Sequence, residues 1–255
     1  MYTHNFSRIK EAVCVYESVF QRVEKKYLLT KTQYEKLFPD ILARCVPDTY
    51  LESNICSIYY DTPDYLLIRR SLEKPTYKEK LRIRSYTVPN SDTNVFVELK
   101  KKYLGTVYKR RINLPYGKAM GFLNAADPAS EAESQIEKEI AYCFSLYKGM
   151  RPSMFISCHR LSYIGKDDYG LRITFDDNVF FRDTELELDK GIYGESLLPE
   201  GSRIMEIKTL KSMPLWLSAS LDENAVYPCS FSKYGTAYTI LLNRKLNSKG
   251  ATNNV

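Results

Sequence analysis

The chain has 255 residues, 44% of them hydrophobic, enough to build a sizeable soluble core and to exclude disorder as the state of its bulk. No apolar run approaches the roughly 18 residues a membrane span needs, and Met1 to Lys10 lack the apolar stretch of a secretory signal, so a cytoplasmic protein without a transmembrane segment is expected. Thirty-seven Lys and Arg against 31 Asp and Glu leave a net charge of +6, which favours an anionic partner without choosing among nucleic acid, membrane surface and phosphorylated small molecules.

In chain order, the spacing predicts a strand over 19–28 and then a helix over 31–44. Thr30 and Gln33 of that helix have capping-box spacing, Tyr34, Leu37 and Ile41 share a face, and Pro39 can kink it. Clustered Tyr, Phe, Val, Ile and Thr with period-two alternation predict strands at 55–61, 77–87, 94–103 and 106–114. A helix follows through Glu131 to Lys148, with Ile136, Ile140, Cys143 or Phe144 and Tyr147 on one side and Gly149 and Pro152 as stop signals. Strands at 154–164, 170–181 and 203–209 come next, then a turn starting at Met213-Pro214 and a short apolar helix from Tyr234 to Leu242 that covers the bottom or side of the fold. Residues 1–245 read as one domain, and Leu246 to Val255 as a polar, loose tail. The six cysteines form no Cys-x-x-Cys pair, so neither a zinc site nor a disulfide framework is indicated.

Charge at every second strand position is ordinarily a solvated face. Here nearly every strand repeats it. Arg22, Glu24 and Lys26 share a face, as do Lys80, Arg82 and Arg84; Glu98 alternates with Lys100, and Lys109 with Arg111. Arg160, then Arg172, Thr174 and Asp176, then Glu206 and Lys208 continue the pattern. The opposite faces, with Leu81, Ile83, Val97, Leu99, Ile173, Phe175, Met205 and Ile207, are apolar and need cover. An α+β fold satisfies both: a closed antiparallel β-barrel of about eight strands, with helices packed outside and charges lining a wet interior. Facing cations would repel without an anion between them, so a polyanion is the natural occupant.

The motifs Glu24-Lys25-Lys26-Tyr27, Ser57-Ile58-Tyr59-Tyr60-Asp61, Lys80-Leu81-Arg82-Ile83-Arg84, Phe96-Val97-Glu98-Leu99-Lys100, Tyr108-Lys109-Arg110-Arg111, Leu171-Arg172-Ile173-Thr174-Phe175-Asp176, Met205-Glu206-Ile207-Lys208 and Phe231-Ser232-Lys233-Tyr234 carry a resemblance. In their order and spacing the chain resembles the polyphosphate polymerase domain of the vacuolar transporter chaperone (VTC) family, within the CYTH-like triphosphate tunnel metalloenzymes. The resemblance implies Lys26, Arg82, Arg84 and Lys208 as catalytic cations, with Lys100, Lys109, Arg111, Arg160, Arg172 and Lys233 holding phosphates. It implies Glu206 as ligand to Mn²⁺ or Mg²⁺, with Glu24 and Glu98 in support. Asp176 can equally be a turn residue closing its strand. His159 reads as a strand residue beside Arg160 rather than a phosphate ligand.

The activity implied is transfer of the γ-phosphate of ATP to a growing polyphosphate chain, with ATP, polyphosphate or tripolyphosphate and pyrophosphate as partners and no nucleic acid. A tunnel-type triphosphatase would use almost the same residues, with water as acceptor. A non-catalytic polyphosphate- or RNA-binding module is the remaining alternative, since 21 tyrosines interleaved with cations offer stacking surfaces.

Overall fold

The computed structural model describes residues 23–210 and 212–252; Arg22 and the opening residues 19–22 of the first expected strand lie outside them. The elements are β1 (Val23–Leu29), α1 (Lys31–Arg44), β2 (Cys45–Asp61), α2 (Leu66–Leu72), β3 (Tyr77–Ser85), β4 (Asn94–Tyr103), β5 (Thr106–Pro115), α3 (Tyr116–Asn124), α4 (Gln135–Leu146), β6 (Arg151–Gly165), β7 (Arg172–Arg182), β8 (Glu195–Ser196), β9 (Arg203–Thr209), α5 (Leu215–Glu223), β10 (Pro228–Cys229) and α6 (Lys233–Thr252).

Local chemistry sets several boundaries. The Thr30 hydroxyl accepts from the Gln33 amide at 3.2 Å and the Gln33 side chain accepts from the Thr30 amide at 3.0 Å, completing the capping box of α1. The same reciprocal pair between Ser134 and Glu137 starts α4 at Gln135, four residues later than the apolar pattern suggests. Leu104 and Gly105 both take positive φ, 46° and 86°, and form the two-residue turn that folds β5 back on β4. The last helix runs to Thr252, into the polar segment expected as a tail. Among the described residues no helix is long and apolar enough to cross a membrane.

All strands join one antiparallel sheet in the order β10-β1-β9-β7-β6-β2-β3-β4-β5, with β8 on β7. The sheet curls until Lys100 on β4 comes under the charges of Glu24 and Lys26 on β1 and of Glu206 on β9. The curled tunnel is the expected α+β fold, with a sheet that is not strictly closed. Among the described residues β5 pairs only with β4, and β10 touches β1 only at Lys26 and Tyr27. The successive cations Lys109, Arg110 and Arg111 on β5 are the kind of charge that keeps an edge strand from pairing.

Apolar burial fixes which face turns inward. On the outer side, Leu81, Ile83, Val97 and Leu99 are closed off by Ala119 and Phe122 of α3 and Ile140 and Cys143 of α4. Ile173, Phe175, Met205 and Ile207 pack likewise against Leu37 and Ile41 of α1 and Leu217 and Leu221 of α5. Each such Leu or Ile contributes about 1.5–3 kcal/mol on burial, so flipping a strand by one residue would sacrifice its whole set. A third cluster lies on the inner side, where Tyr59, Ile156 and Ile204 meet Tyr234, Ala237 and Leu241. Helix α6 therefore plugs one end of the tunnel rather than covering its outside.

Candidate functional site

With Leu81 and Ile83 buried outward, Lys78, Lys80, Arg82 and Arg84 of β3 stand on the inner face, only partly exposed. Register sets Glu98 of β4 opposite Arg82, and Lys109 and Arg111 of β5 opposite Lys100 and Glu98. Glu98, 1% exposed, accepts from Arg82 Nε at 2.8 Å and lies 2.5 Å from Lys109 Nζ and 4.0 Å from Arg84 Nε. Burial would raise its carboxyl, but Arg82, Arg84 and Lys109 outweigh that and hold it at about 2. The phenolic oxygen of Tyr59 accepts from Arg82 at 3.1 Å. Burial opposes ionisation of that phenol, yet Arg82, Arg84 and Lys80 bring it down to about 8.

A second cluster centres on Asp176. Arg160 grips it with a fork, Nε to Oδ1 at 2.5 Å and Nη2 to Oδ2 at 2.7 Å, and Lys233 at the start of α6 reaches the same carboxylate. These cations override burial and keep the carboxyl well below its usual range. Asp176 is thus no turn residue, because β7 continues to Arg182 and leaves it in mid-strand. A third cluster has Glu206 2.5 Å from Lys208 and 3.7 Å from Lys26, which also lies 3.5 Å from Glu24. Burial again opposes, and Lys208 and Lys26 again prevail, holding Glu206 at about 2.

All thirteen residues expected from the sequence lie on inward-facing positions of the sheet or, for Lys233, at the plugging helix. They are not equivalent. Arg172 pairs with Asp48 and is 44% exposed at the side chain. Arg111 is exposed and lies over the Phe96 ring, 4.4 Å from its centroid. Glu98 stands apart from the Glu24–Glu206 pair, and among the described residues no three His, Cys, Asp or Glu converge as a metal cluster. Glu24 and Glu206 share one ammonium, and the buried Thr174 hydroxyl, cross-strand from Glu206, lacks a hydrogen-bond partner. His159 bonds the carboxylates of Asp177 (2.8 Å) and Glu52 (2.7 Å), not the tunnel cations.

The expected set omitted several groups. Lys80 continues the Arg82–Arg84 alternation; among the described residues it has no carboxylate within 4 Å and donates to Ser232 Oγ at 3.2 Å. Burial, reinforced by Lys78, Lys100 and Lys26 and only partly offset by Tyr59, pushes its ammonium down to about 8. Lys100, also without a carboxylate at ion-pair distance among the described residues, is lowered chiefly by burial. Tyr59 and Asp48 bear no mark in the sequence that separates them from ordinary strand residues.

The fold and the site define a class of protein in which a curled antiparallel sheet carries a cationic inner face. The VTC domain pattern matches residues 21–242, and the chain belongs to the VTC domain family. A solved structure of the adenylyl cyclase candidate HpAC1 from Hippeastrum, described with a dominant triphosphatase activity, is 14% identical with a TM-score of 0.52, covering 86% of this chain and 95% of that one. An adenylate cyclase candidate from Bacillus halodurans is 12% identical with a TM-score of 0.49, covering 83% and 93%. No curated protein matches by sequence.

Proposed function

We propose that the protein is a metal-dependent polyphosphate polymerase that transfers the γ-phosphate of ATP to the end of a polyphosphate chain lying in the tunnel. The observation that carries this is the uncompensated charge of the inner face: among the described residues, half-buried Lys80 and exposed Lys100 stand among other cations with no carboxylate at ion-pair distance. An array of facing cations that repel one another costs free energy until a polyanion occupies it. Membership of the VTC domain family supports polymer synthesis as the use made of that array.

In the transfer, a terminal oxygen of the chain attacks the γ-phosphorus while the bond from that phosphorus to the β,γ-bridging oxygen breaks, and ADP leaves with the bridging oxygen. The protein has little covalent chemistry to perform; it aligns donor and acceptor and stabilises charge on the transferred group. Arg82 and Arg84 present planar forks to phosphate oxygens, while Lys80, Lys100 and Lys109 supply compact charges beside them. Lys26 and Lys208 do the same from the facing strands. Glu206 and Glu24, with the Thr174 hydroxyl nearby, form an oxygen donor set that fits Mn²⁺ or Mg²⁺; Glu98, engaged by Arg82 and Lys109, is left out of it. Such an ion, when bound, supplies further neutralisation of phosphate charge.

A triphosphatase is the second reading, favoured by the activity described for the Hippeastrum tunnel protein. Incubation with ATP and Mn²⁺ separates the readings. A ladder of long polyphosphate is expected; free phosphate alone would make the protein a triphosphatase, and neither product a binding module.

A further inference from the structure

The inward face of β4 carries an aromatic residue among its charges. Phe96 precedes Glu98 and Lys100 on that face, and its cross-strand neighbours are Arg84 on β3 and Asn113 on β5. One side of the ring meets the guanidinium of Arg111 at 4.4 Å, and Tyr86 approaches edge-on at 5.8 Å and 79°. Both Arg111 and Tyr86 are exposed. Arg82, Arg160 and Arg172 each have a carboxylate partner, and Arg84 has Glu98 at 4.0 Å; Arg111 has none within 4 Å among the described residues. Glu98, its register partner, is instead taken by Lys109 and Arg82. Arg111 is held by a ring, with its planar cation left open to solvent.

We propose that Phe96, Arg111 and Tyr86 form the platform for the planar base of the nucleotide donor, at the end of the cationic wall. This rests on the polymerase reading and adds to it the subsite that distinguishes a nucleotide from bare triphosphate. An aromatic ring stacked with a guanidinium is a surface for a flat heterocycle, through base stacking and cation–π attraction, and is tolerant of base identity. A phosphate would gain nothing from the ring. Strand geometry sets the scale: four residues from Phe96 to Lys100 span about 13 Å, so a base on Phe96 projects its phosphates along Arg84, Glu98's cations and Lys100.

Calorimetric titration of ATP and of tripolyphosphate into wild type, Phe96→Leu and Tyr86→Leu tests the assignment. Leucine keeps an apolar side chain at each position while removing the aromatic plane. Each variant is expected to weaken ATP binding roughly tenfold, with tripolyphosphate affinity within about twofold of wild type and unfolding temperatures unchanged. Equal weakening of both ligands, or no change in either, overturns the platform while leaving the tunnel reading standing. A wild-type protein that binds neither ligand overturns both.

Discussion

Along β3, β4 and β5 the inward positions hold Lys78, Lys80, Arg82, Arg84, Lys100, Lys102, Lys109 and Arg111 against a single carboxylate, Glu98. Along β1, β7 and β9 they hold Glu24, Lys26, Arg172, Asp176, Glu206 and Lys208, three cations and three carboxylates. The second wall carries equal numbers of each sign; the first does not. Self-repulsion favours an external anion on the cationic wall, whereas the cations around Asp176 and Glu206 on the other wall keep those two carboxyls below their usual range. On the polymerase reading proposed above, the first wall is the phosphate-binding side and the second the metal-binding side.

The largest effect is expected from removing the arginine at the centre of the cationic wall. Arg82→Ala should lower turnover roughly 100-fold or more, as loss of a preorganised charge-stabilising donor does. Circular dichroism should show the fold retained, and Lys36→Ala on exposed α1 should behave as wild type. Equal loss in both variants would erase the distinction between inner and outer charge. Glu206→Gln probes the balanced wall. Metal-dependent turnover should fall roughly tenfold or more, while calorimetry without metal should show tripolyphosphate bound as tightly as before, or more tightly because a repulsive carboxylate has gone.

Lys80 gives the comparison a pH dependence. An unfolded lysine holds its proton to about 10.5, whereas the folded one releases it near 8. Between these values the unfolded chain binds more protons, so this group makes wild-type stability rise with pH over that window. Lys80→Met should accordingly stabilise the ligand-free protein by about 1–2 kcal/mol below pH 8, a gain that disappears above pH 10.5 in denaturant titrations. The smallest effect is expected outside both walls. Bonds to Asp177 and Glu52 outweigh burial and raise the His159 imidazole. Its contribution is then complete below the unfolded value near 6.5 and is lost as pH rises through the higher folded value. His159→Gln should cost under about 1 kcal/mol at pH 6 and still less at pH 9.

Period-two alternation is the feature that makes the tunnel wall legible in the sequence. On β3, β4 and β9, apolar–charged alternation around Arg82, Glu98 and Glu206 assigns them inward because the flanking apolar residues can only be buried. The capping-box spacing of Thr30 and Gln33 likewise identifies α1. Whatever depends on distant contacts is hidden. Helix α2 begins after Tyr65 at φ 58°, and its first amides are bound by the buried carboxylate of Asp61, a partner that local propensity cannot reveal. The early half of β2 carries Pro47 and Asp48 and an irregular register between Pro47 and Glu52, so it does not alternate as a strand should. Helix α3 follows Pro115 and includes Gly117 and Gly121, which mask its apolar face. At the site, alternation gives the direction of Asp176 but not its partners, since the register of β6 against β7 sets Arg160 opposite it and Lys233 reaches it only once α6 has packed into the tunnel's end.

The central proposal is that the cationic wall is a polyanion site enclosed by the curl of the sheet, and titration of tripolyphosphate into metal-free protein at rising salt tests it most directly. The account predicts one saturating site per chain, with strong loss of affinity in Arg82→Ala and Arg84→Ala and with duplex DNA binding far more weakly at physiological salt. Comparable binding of duplex DNA, with both arginine variants indistinguishable from wild type, would contradict it and put the cations on an outer surface.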